Sequence, residues 1–378
     1  MNKVDSSIMI LTASYGNGHK QAAQALKQRL HLRGINKVHI IDLMKEAYPV
    51  LNTITTTIYE KSTQAPAYGL DYYGWSYYMT RDSKQDGPLN KYFNLLGKKK
   101  LREFIDLERP DAIINTFPFG AAPETGRHLD IPTFTVVTDY ALHSRWIHSD
   151  VHKYYVATDE LKAELLDKGL APEQVEVSGI PIRQAFQAIS ESSNAFQGIL
   201  DPRKKTVLIS AGSYGIFKHI EKMAESLVVK GNCQIAVVCG RDKRLEHKLN
   251  LLFRYHPDIH IFGFIEHIHE LMAVSSCILT KAGGLTLTEA ITLQLPIFVY
   301  RPLSGQEKEN ARFLSQKGVA AISQSPDELE NQLLRCLSDD AYAGHIRSRM
   351  SALRKDSSAD YIAKSIIEAI AKEALQPV

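Results

Sequence analysis

The ten residues "SYGNGHKQAA" (Ser14–Ala23) follow an apolar run, "SIMILTA" (Ser7–Ala13). Gly16 and Gly18 bracket Asn17, His19 comes next, and good helix formers follow. Such an order places backbone N–H groups and an imidazole together at a helix start. Neutral imidazole, with an ordinary pKa of ~6.5, can take a proton from an alcohol, and the positive end of a helix helps to keep it neutral. His19 is therefore the candidate general base; the plainer alternative is a polar residue that opens a helix. The dinucleotide fingerprint G-x-G-x-x-G is met only in part, because Gln21 stands at its third position. Asp42 does fall about where a ribose-binding acid would sit. A Walker loop is excluded, since no G-K-[ST] follows.

The second chemical stretch is "TKAGGLTLTEAITLQLPIFVYRPLSGQEKEN" (Thr280–Asn310). It reads as a strand end, a turn carrying Gly283 and Gly284, and a helix with Thr286, Thr288 and Glu289 near its start. Backbone N–H groups and hydroxyls at a helix start suit a diphosphate. A carboxylate one turn further in suits the paired hydroxyls of a ribose. After the next strand, Gln306 and Glu307 offer an amide and a carboxylate together, a pair able to fix sugar hydroxyls. Taken singly, Thr and Glu in a first turn are ordinary capping residues. Taken in order, the parts read as phosphate, ribose and sugar sites.

Elements that must position these groups are legible as two alternating series. "SIMILTA", "KVHIID", "DAIINTF", "TFTVVTD" and "KYYVAT" read as buried parallel strands, and so do "KTVLISAG", "CQIAVVCG", "IHIFGF", "SCILTKAGG" and "PIFVYRP". The fold class is α/β, two Rossmann-like doubly wound domains facing a cleft, in which residues just past strand ends bind ligands. We place an N-terminal domain over residues 1–190 and a C-terminal domain over 200–355. The polar segment Arg183–Lys205 connects them, and a final helix over about 356–378 packs back on the first domain. With 378 residues, 44% hydrophobic and 23% charged, the chain has the composition of a globular protein of two domains. A net charge of only +3 confines any basic surface to a local patch. No apolar run approaches the ~20 residues that span a bilayer, and the first apolar stretch reads as a strand, not a signal peptide. Cys233, Cys239, Cys277 and Cys336 lack metal-type spacing and read as reduced core thiols.

Several ordered motifs carry a resemblance across nearly the whole chain: "LTASYGNGHKQAA", "IINTFP", "VVTDYALHSRWIH", "KYYVATD", "GIPIR", "ISAGSYG", "GFIEHIHELM", "TKAGGLTLTEA" and "LSGQEKEN". The sequence resembles the GT-B glycosyltransferases of family 28, which include plant monogalactosyldiacylglycerol synthase, and within them the bacterial processive diacylglycerol β-glucosyltransferases. Ser304 is a small departure from the usual last motif. The resemblance implies inverting transfer of glucose from UDP-glucose to the hydroxyl of diacylglycerol and then to glucosyl-diacylglycerol. It implies His19 as the base, Glu289 on the ribose, and Gln306 and Glu307 on the sugar. Arg183 and Ser213 match donor-side positions, and Phe264 and Ile265 the border of the uracil. It implies no cofactor and no metal at the diphosphate, whose charge would be met by helix starts, backbone N–H groups and Arg183.

Tyr48–Phe104 concentrates aromatics, Trp75 and Tyr77 among them, and ends in the basic cluster Lys98, Lys99, Lys100 and Arg102. Tyr and Trp favour a membrane interface, and each Lys or Arg near anionic lipid adds ~1 kcal/mol. The expectation is a peripheral, monotopic protein on the cytoplasmic face of the cell membrane, with an aromatic-packed insertion ending in a solvated helix as the plainer reading. Nucleic acid is not an expected partner, because no RNA-binding motif accompanies the aromatics. Asp139, His143 and Trp146, after a strand end, are candidates for the acceptor side or for simple packing. The rival functions are another GT-B enzyme, such as a UDP-N-acetylglucosamine 2-epimerase or a galactosyl or N-acetylglucosaminyl lipid transferase, and a non-enzymatic UDP-sugar sensor.

Overall fold

The computed structural model describes residues 6–14, 17–49, 53, 97–188, 196–210 and 220–373. They divide into two compact units. One comprises the described residues up to Gln184 together with those from Lys355 onward, and the other is Ala185–Arg354.

The first unit holds a six-stranded sheet of β1 (Ser7–Thr12), β2 (Lys37–Asp42), β3 (Ala112–Asn115), β4 (Thr133–Val136), β5 (Lys153–Val156) and β6 (Val175–Val177). The order is β2-β1-β3-β4-β5-β6, with every pairing parallel. β1 shows why its central residues, Ile8–Leu11, are apolar without a break. Ile8 and Ile10 join a core with Leu26, Leu30, Ile362 and Ile366 on one face. Met9 and Leu11 join Leu43, Leu101 and Ile105 on the other. Successive strand side chains point to opposite faces, so a strand covered on both reads as a near-continuous apolar run. Each such side chain, fully buried, contributes about 1.5–3 kcal/mol.

The helix Gly18–Leu32 buries Ala22, Ala23, Ala25, Leu26 and Leu30, a stripe at 3.6-residue spacing. Against it packs the last helix, Ser358–Glu373. Arg33 holds that helix through both carboxylate oxygens of Asp360, at 2.9 and 2.6 Å. The Tyr155 hydroxyl donates to Ser365 Oγ at 2.9 Å.

The second unit repeats the plan with β7 (Thr206–Ser210), β8 (Gln234–Val238), β9 (Ile259–Phe262), β10 (Cys277–Leu279), β11 (Ile297–Tyr300) and β12 (Ala320–Ser323). Its order is β12-β11-β10-β7-β8-β9, again all parallel. The four cysteines are free and buried, packed in the core of this unit with Val207, Ile235 and Leu333. Two strands escape a reading of the sequence, β6 and β12. Both are edge strands. β6 is only "VEV" and β12 is partly exposed at three of its four residues, so neither carries the run of large apolar residues that marks a central strand. The topological switch of the first sheet falls between β1 and β3, and that of the second between β7 and β10. Crevices at the carboxyl ends of such neighbours are where doubly wound sheets bind ligands.

Candidate functional site

His19 stands at the first of these switch points, at the second residue of the helix that follows β1. In the parallel register Leu11 lies beside Asn115, and the Thr116 N–H donates to the Leu11 carbonyl at 2.9 Å. That pairing carries Thr116 beneath the imidazole. His19 Nδ1 is 2.8 Å from the Thr116 carbonyl oxygen. A carbonyl only accepts, so Nδ1 carries the proton and donates it. The Thr138 hydroxyl oxygen, 2.9 Å from the same nitrogen, is a second acceptor. Nε2 is then the unprotonated nitrogen, and it has no hydrogen-bond partner among the described residues. The ring meets Phe117 edge-on at 5.1 Å between centroids and Trp146 at 6.4 Å. His19 keeps part of its surface open, yet the ring itself is closely surrounded. Burial pushes its pKa down from 6.5 to about 4, against a smaller upward pull from the Thr116 carbonyl. The imidazole is therefore neutral at physiological pH.

The acceptor-side candidates fall unevenly around this ring. Trp146 is buried and touches it. Its segment, the short 3-10 turn Ser144–Trp146, is tied down by Tyr154, whose hydroxyl oxygen accepts from the His148 N–H at 2.7 Å and lies 3.0 Å from the carbonyl oxygens of Trp146 and His148, which share its one proton. His143 caps the same turn, accepting from the Arg145 N–H at 3.1 Å, so its Nδ1 is spent on structure. Asp139 is buried, next in sequence to the Thr138 that contacts His19. Asp42 caps the helix Leu43–Ala47 through the Lys45 N–H and accepts from the Ser14 hydroxyl, a structural employment for the residue in the ribose-acid position.

Lys98, Lys99, Lys100 and Arg102 lie on the helix Lys98–Glu108. Lys98 pairs with Glu124 at 2.8 Å, Lys100 with Glu103 at 2.9 Å, and Arg102 approaches Asp106 at 3.9 Å. The cluster therefore presents less net positive charge than four bases in five positions convey, and Lys99 is exposed. Leu107 on the same helix is 73% exposed. Trp75, Tyr77 and Ser213 lie outside the described residues. Arg183 is half-buried near the end of the first unit, after β6.

In the second unit the glycine turn, Thr286, Glu289, Gln306 and Glu307 follow β10 and β11, while Phe264 and Ile265 follow β9. The helix Gly284–Thr292 begins from Gly283 with no side-chain cap, so its first-turn N–H groups are left for a ligand or solvent. Thr286 is partly exposed in this turn, while Glu289 is buried one turn on. The Thr288 hydroxyl donates back to the Gly284 carbonyl at 2.8 Å, so it serves the helix. Gln306 and Glu307 open the helix Gln306–Gln316, also uncapped by a side chain, after Gly305 at φ 93° and ψ −141°. That conformation is essentially confined to glycine. Glu307 is buried, and its place in a helix first turn favours a carboxylate. Phe264 is 60% exposed, with the Arg241 guanidinium 5.4 Å from its ring centre. Ile265 beside it is partly exposed.

Sequence reasoning passed over Thr116, Thr138, Tyr154, Lys281 and Asn310. Lys281 Nζ lies 3.3 Å from Glu307 Oε1, and the wholly buried Asn310 donates to the Ala282 carbonyl at 3.1 Å. A signal existed for Lys281, a cation at a strand end just before a glycine turn. None existed for the two threonines, whose roles depend on strand neighbours. His267, His269 and Glu270 bring possible donor atoms within 4.8 Å of one another; sequence reading did not group them.

Two doubly wound parallel sheets of this order define a GT-B protein with a candidate sugar-nucleotide site. MurG of Acinetobacter baumannii matches with a TM-score of 0.60 at 16% identity, over 97% of this chain and 99% of that one. UDP-GlcNAc 2-epimerase of Neisseria meningitidis, solved with UDP-GlcNAc, matches with a TM-score of 0.63 at 14% identity, over 97% and 100%. At such identities these likenesses speak for the fold alone. Residues 19–182 match the monogalactosyldiacylglycerol (MGDG) synthase family, and residues 206–365 the glycosyltransferase family 28 C-terminal domain. Processive diacylglycerol beta-glucosyltransferase of Bacillus licheniformis is 37% identical over 368 residues, 96% of this chain and 95% of the relative. Its namesake from Bacillus subtilis is 36% identical over 365 residues, 96% and 94%. The chain belongs to the processive diacylglycerol beta-glucosyltransferase family.

Proposed function

We propose that this chain transfers glucose from UDP-glucose to the hydroxyl of diacylglycerol with inversion, and then to glucosyl-diacylglycerol, forming mono- and diglucosyl lipids that serve as membrane glycolipid and lipoteichoic acid anchor. The observation that carries this reading is the fixed tautomer of His19. With Nδ1–H committed to the Thr116 carbonyl, Nε2 is the nitrogen able to take the acceptor proton. The acceptor oxygen, losing that proton, attacks the anomeric carbon from the face opposite UDP. The bond from that carbon to the diphosphate oxygen breaks, and its electron pair leaves with UDP.

The uncapped start of the helix Gly284–Thr292 meets the diphosphate charge through its N–H groups, and Arg183 is the further donor-side cation that the family resemblance assigns. Preorganised donors of this kind are worth roughly 3 kcal/mol each in a transition state. Glu289 takes the ribose, Gln306 and Glu307 the hexose, and Phe264 and Ile265 border the uracil. Among the described residues no helix is long and apolar enough to cross a membrane. We infer peripheral attachment to the cytoplasmic face of the cell membrane through the helix Lys98–Glu108 and the aromatic segment before it.

Purified protein, diacylglycerol in anionic liposomes and each UDP-sugar in turn test the whole reading, with products resolved by mass. The expected products are mono- and then diglucosyl-diacylglycerol, from UDP-glucose. Interconversion of UDP-sugars without a lipid product would establish an epimerase instead, and tight UDP-sugar binding without any product a sensor.

A further inference from the structure

Lys281 and Glu307 come from the segments that follow two neighbouring strands of the second unit. Lys281 follows β10, and Glu307 opens the helix after β11. The two segments are joined twice. Asn310, 0% exposed, donates to the Ala282 carbonyl at 3.1 Å, and Lys281 Nζ lies 3.3 Å from Glu307 Oε1. The other carboxylate oxygen, Glu307 Oε2, is buried and has no hydrogen-bond partner among the described residues. A buried acceptor left unmatched costs free energy, and a partner is expected wherever one persists. The missing partner must be an N–H or O–H donor, and a sugar hydroxyl is one.

We propose that Lys281 is a positioning residue for the donor sugar: by holding Oε1 it sets the orientation of the Glu307 carboxylate and balances its buried charge, so that Oε2 presents its lone pairs to a hexose hydroxyl. The proposal rests on the donor reading given above. It assigns the ammonium to the glutamate and not to the diphosphate, although Lys281 lies just three residues before the uncapped helix start. The ion pair is preorganised, because the Asn310–Ala282 bond already fixes the helix Gln306–Gln316 against the turn after β10. Little side-chain freedom then remains to be lost when the sugar binds.

Calorimetric titration of the full chain with UDP and with UDP-glucose separates these assignments. K281M should weaken UDP-glucose roughly tenfold or more while changing UDP less than about threefold. In steady-state transfer it should raise KM for UDP-glucose more than it lowers kcat. K281R, which can still pair with Oε1, should keep most of the wild-type ratio of the two affinities. In an E307Q background, K281M should leave that ratio unchanged, since the group it positions is already altered. Equal losses for UDP and UDP-glucose in K281M would overturn the proposal and give Lys281 to the diphosphate. A lowered melting temperature with an unchanged affinity ratio would overturn it in favour of a purely structural ion pair, and so would additive effects of K281M and E307Q. A wild-type protein that binds UDP but no UDP-hexose would overturn the donor reading itself, and this inference with it.

Discussion

The imidazole of His19 hangs from the backbone of Thr116, a residue 97 positions away in sequence, through a 2.8 Å contact between Nδ1 and the carbonyl oxygen. The expected consequence is that His19→Ala abolishes most transfer, by about 10²–10⁴-fold in kcat, the usual loss when a general base is removed. UDP affinity should change little, since Glu289 and the uncapped helix start proposed for the ribose and the diphosphate belong to the second unit. Turnover near the wild-type rate, measured beside calorimetric UDP binding, would remove His19 from the mechanism.

Protonation of the same ring has a predictable sign. Its folded pKa of about 4 lies below the ordinary 6.5 because burial disfavours the charged form. The base should remain competent well below pH 6.5, so the acid limb of kcat/KM should fall near pH 4–5. Between pH 6.5 and about 4 the unfolded chain binds a proton at this histidine that the folded chain does not. Folded stability from this group is thus complete above pH 6.5 and declines as pH falls through that window. His19→Gln should gain stability relative to wild type as pH drops from 6.5 to 4.5. Melting curves of both proteins across that range check this; a constant difference would count against a depressed His19.

Glu289 and the pair Gln306–Glu307 should separate by ligand. Glu289→Ala should weaken UDP and UDP-glucose alike, by roughly 10–100-fold for a lost charge-assisted hydrogen bond. Gln306→Ala and Glu307→Ala should weaken UDP-glucose more than UDP. Equal losses for both ligands in all three variants would contradict the assignment.

Gly305 sets the turn that aims the last two of those residues. At φ 93° and ψ −141°, Gly305→Ala should cost about 1–3 kcal/mol of stability, visible as a lower Tm. UDP-glucose affinity should fall with it, because Gln306 and Glu307 leave the turn in a changed direction. An unchanged Tm would show that the loop accommodates a side chain there.

Charge reversal at Lys98, Lys99, Lys100 and Arg102 should release the protein from anionic liposomes and raise the apparent KM for bilayer diacylglycerol. A short-chain, detergent-dispersed acceptor should be much less affected. Since Lys98, Lys100 and Arg102 each face a carboxylate, the single variant Lys99→Glu should account for a disproportionate share of the loss. Wild-type binding should weaken with salt, as charge attraction is screened within ~8–10 Å at physiological ionic strength. Replacing Trp75 and Tyr77 by Ala should weaken binding with little salt dependence. Sedimentation of the fourfold variant with liposomes, as wild type at low and high salt, would make the basic cluster a solvated helix end.

Much of this protein is written locally. The unbroken apolar run Ile8–Leu11 within β1 announces a strand covered on both faces, and the glycine turn after it announces a helix start bearing His19. The order of glycines, Glu289 and Gln306–Glu307 is legible too, as the series proposed here for diphosphate, ribose and sugar, because each feature belongs to a single turn or helix. What local order does not contain is the company each group keeps. That Nδ1 is protonated follows from Thr116, which reaches His19 only because β3 pairs with β1 and sets Asn115 beside Leu11. That Asp42 is a helix cap, that Thr288 bonds back into its own helix, and that three of the four bases on the helix Lys98–Glu108 face acids all required the packed chain. The same holds for Lys281 and Glu307, whose pairing depends on β10 and β11 lying side by side. Secondary structure and residue chemistry are set within a few residues along the chain; hydrogen-bond partners and ion pairs are set by strand order and helix packing, which bring together groups that sequence distance keeps apart.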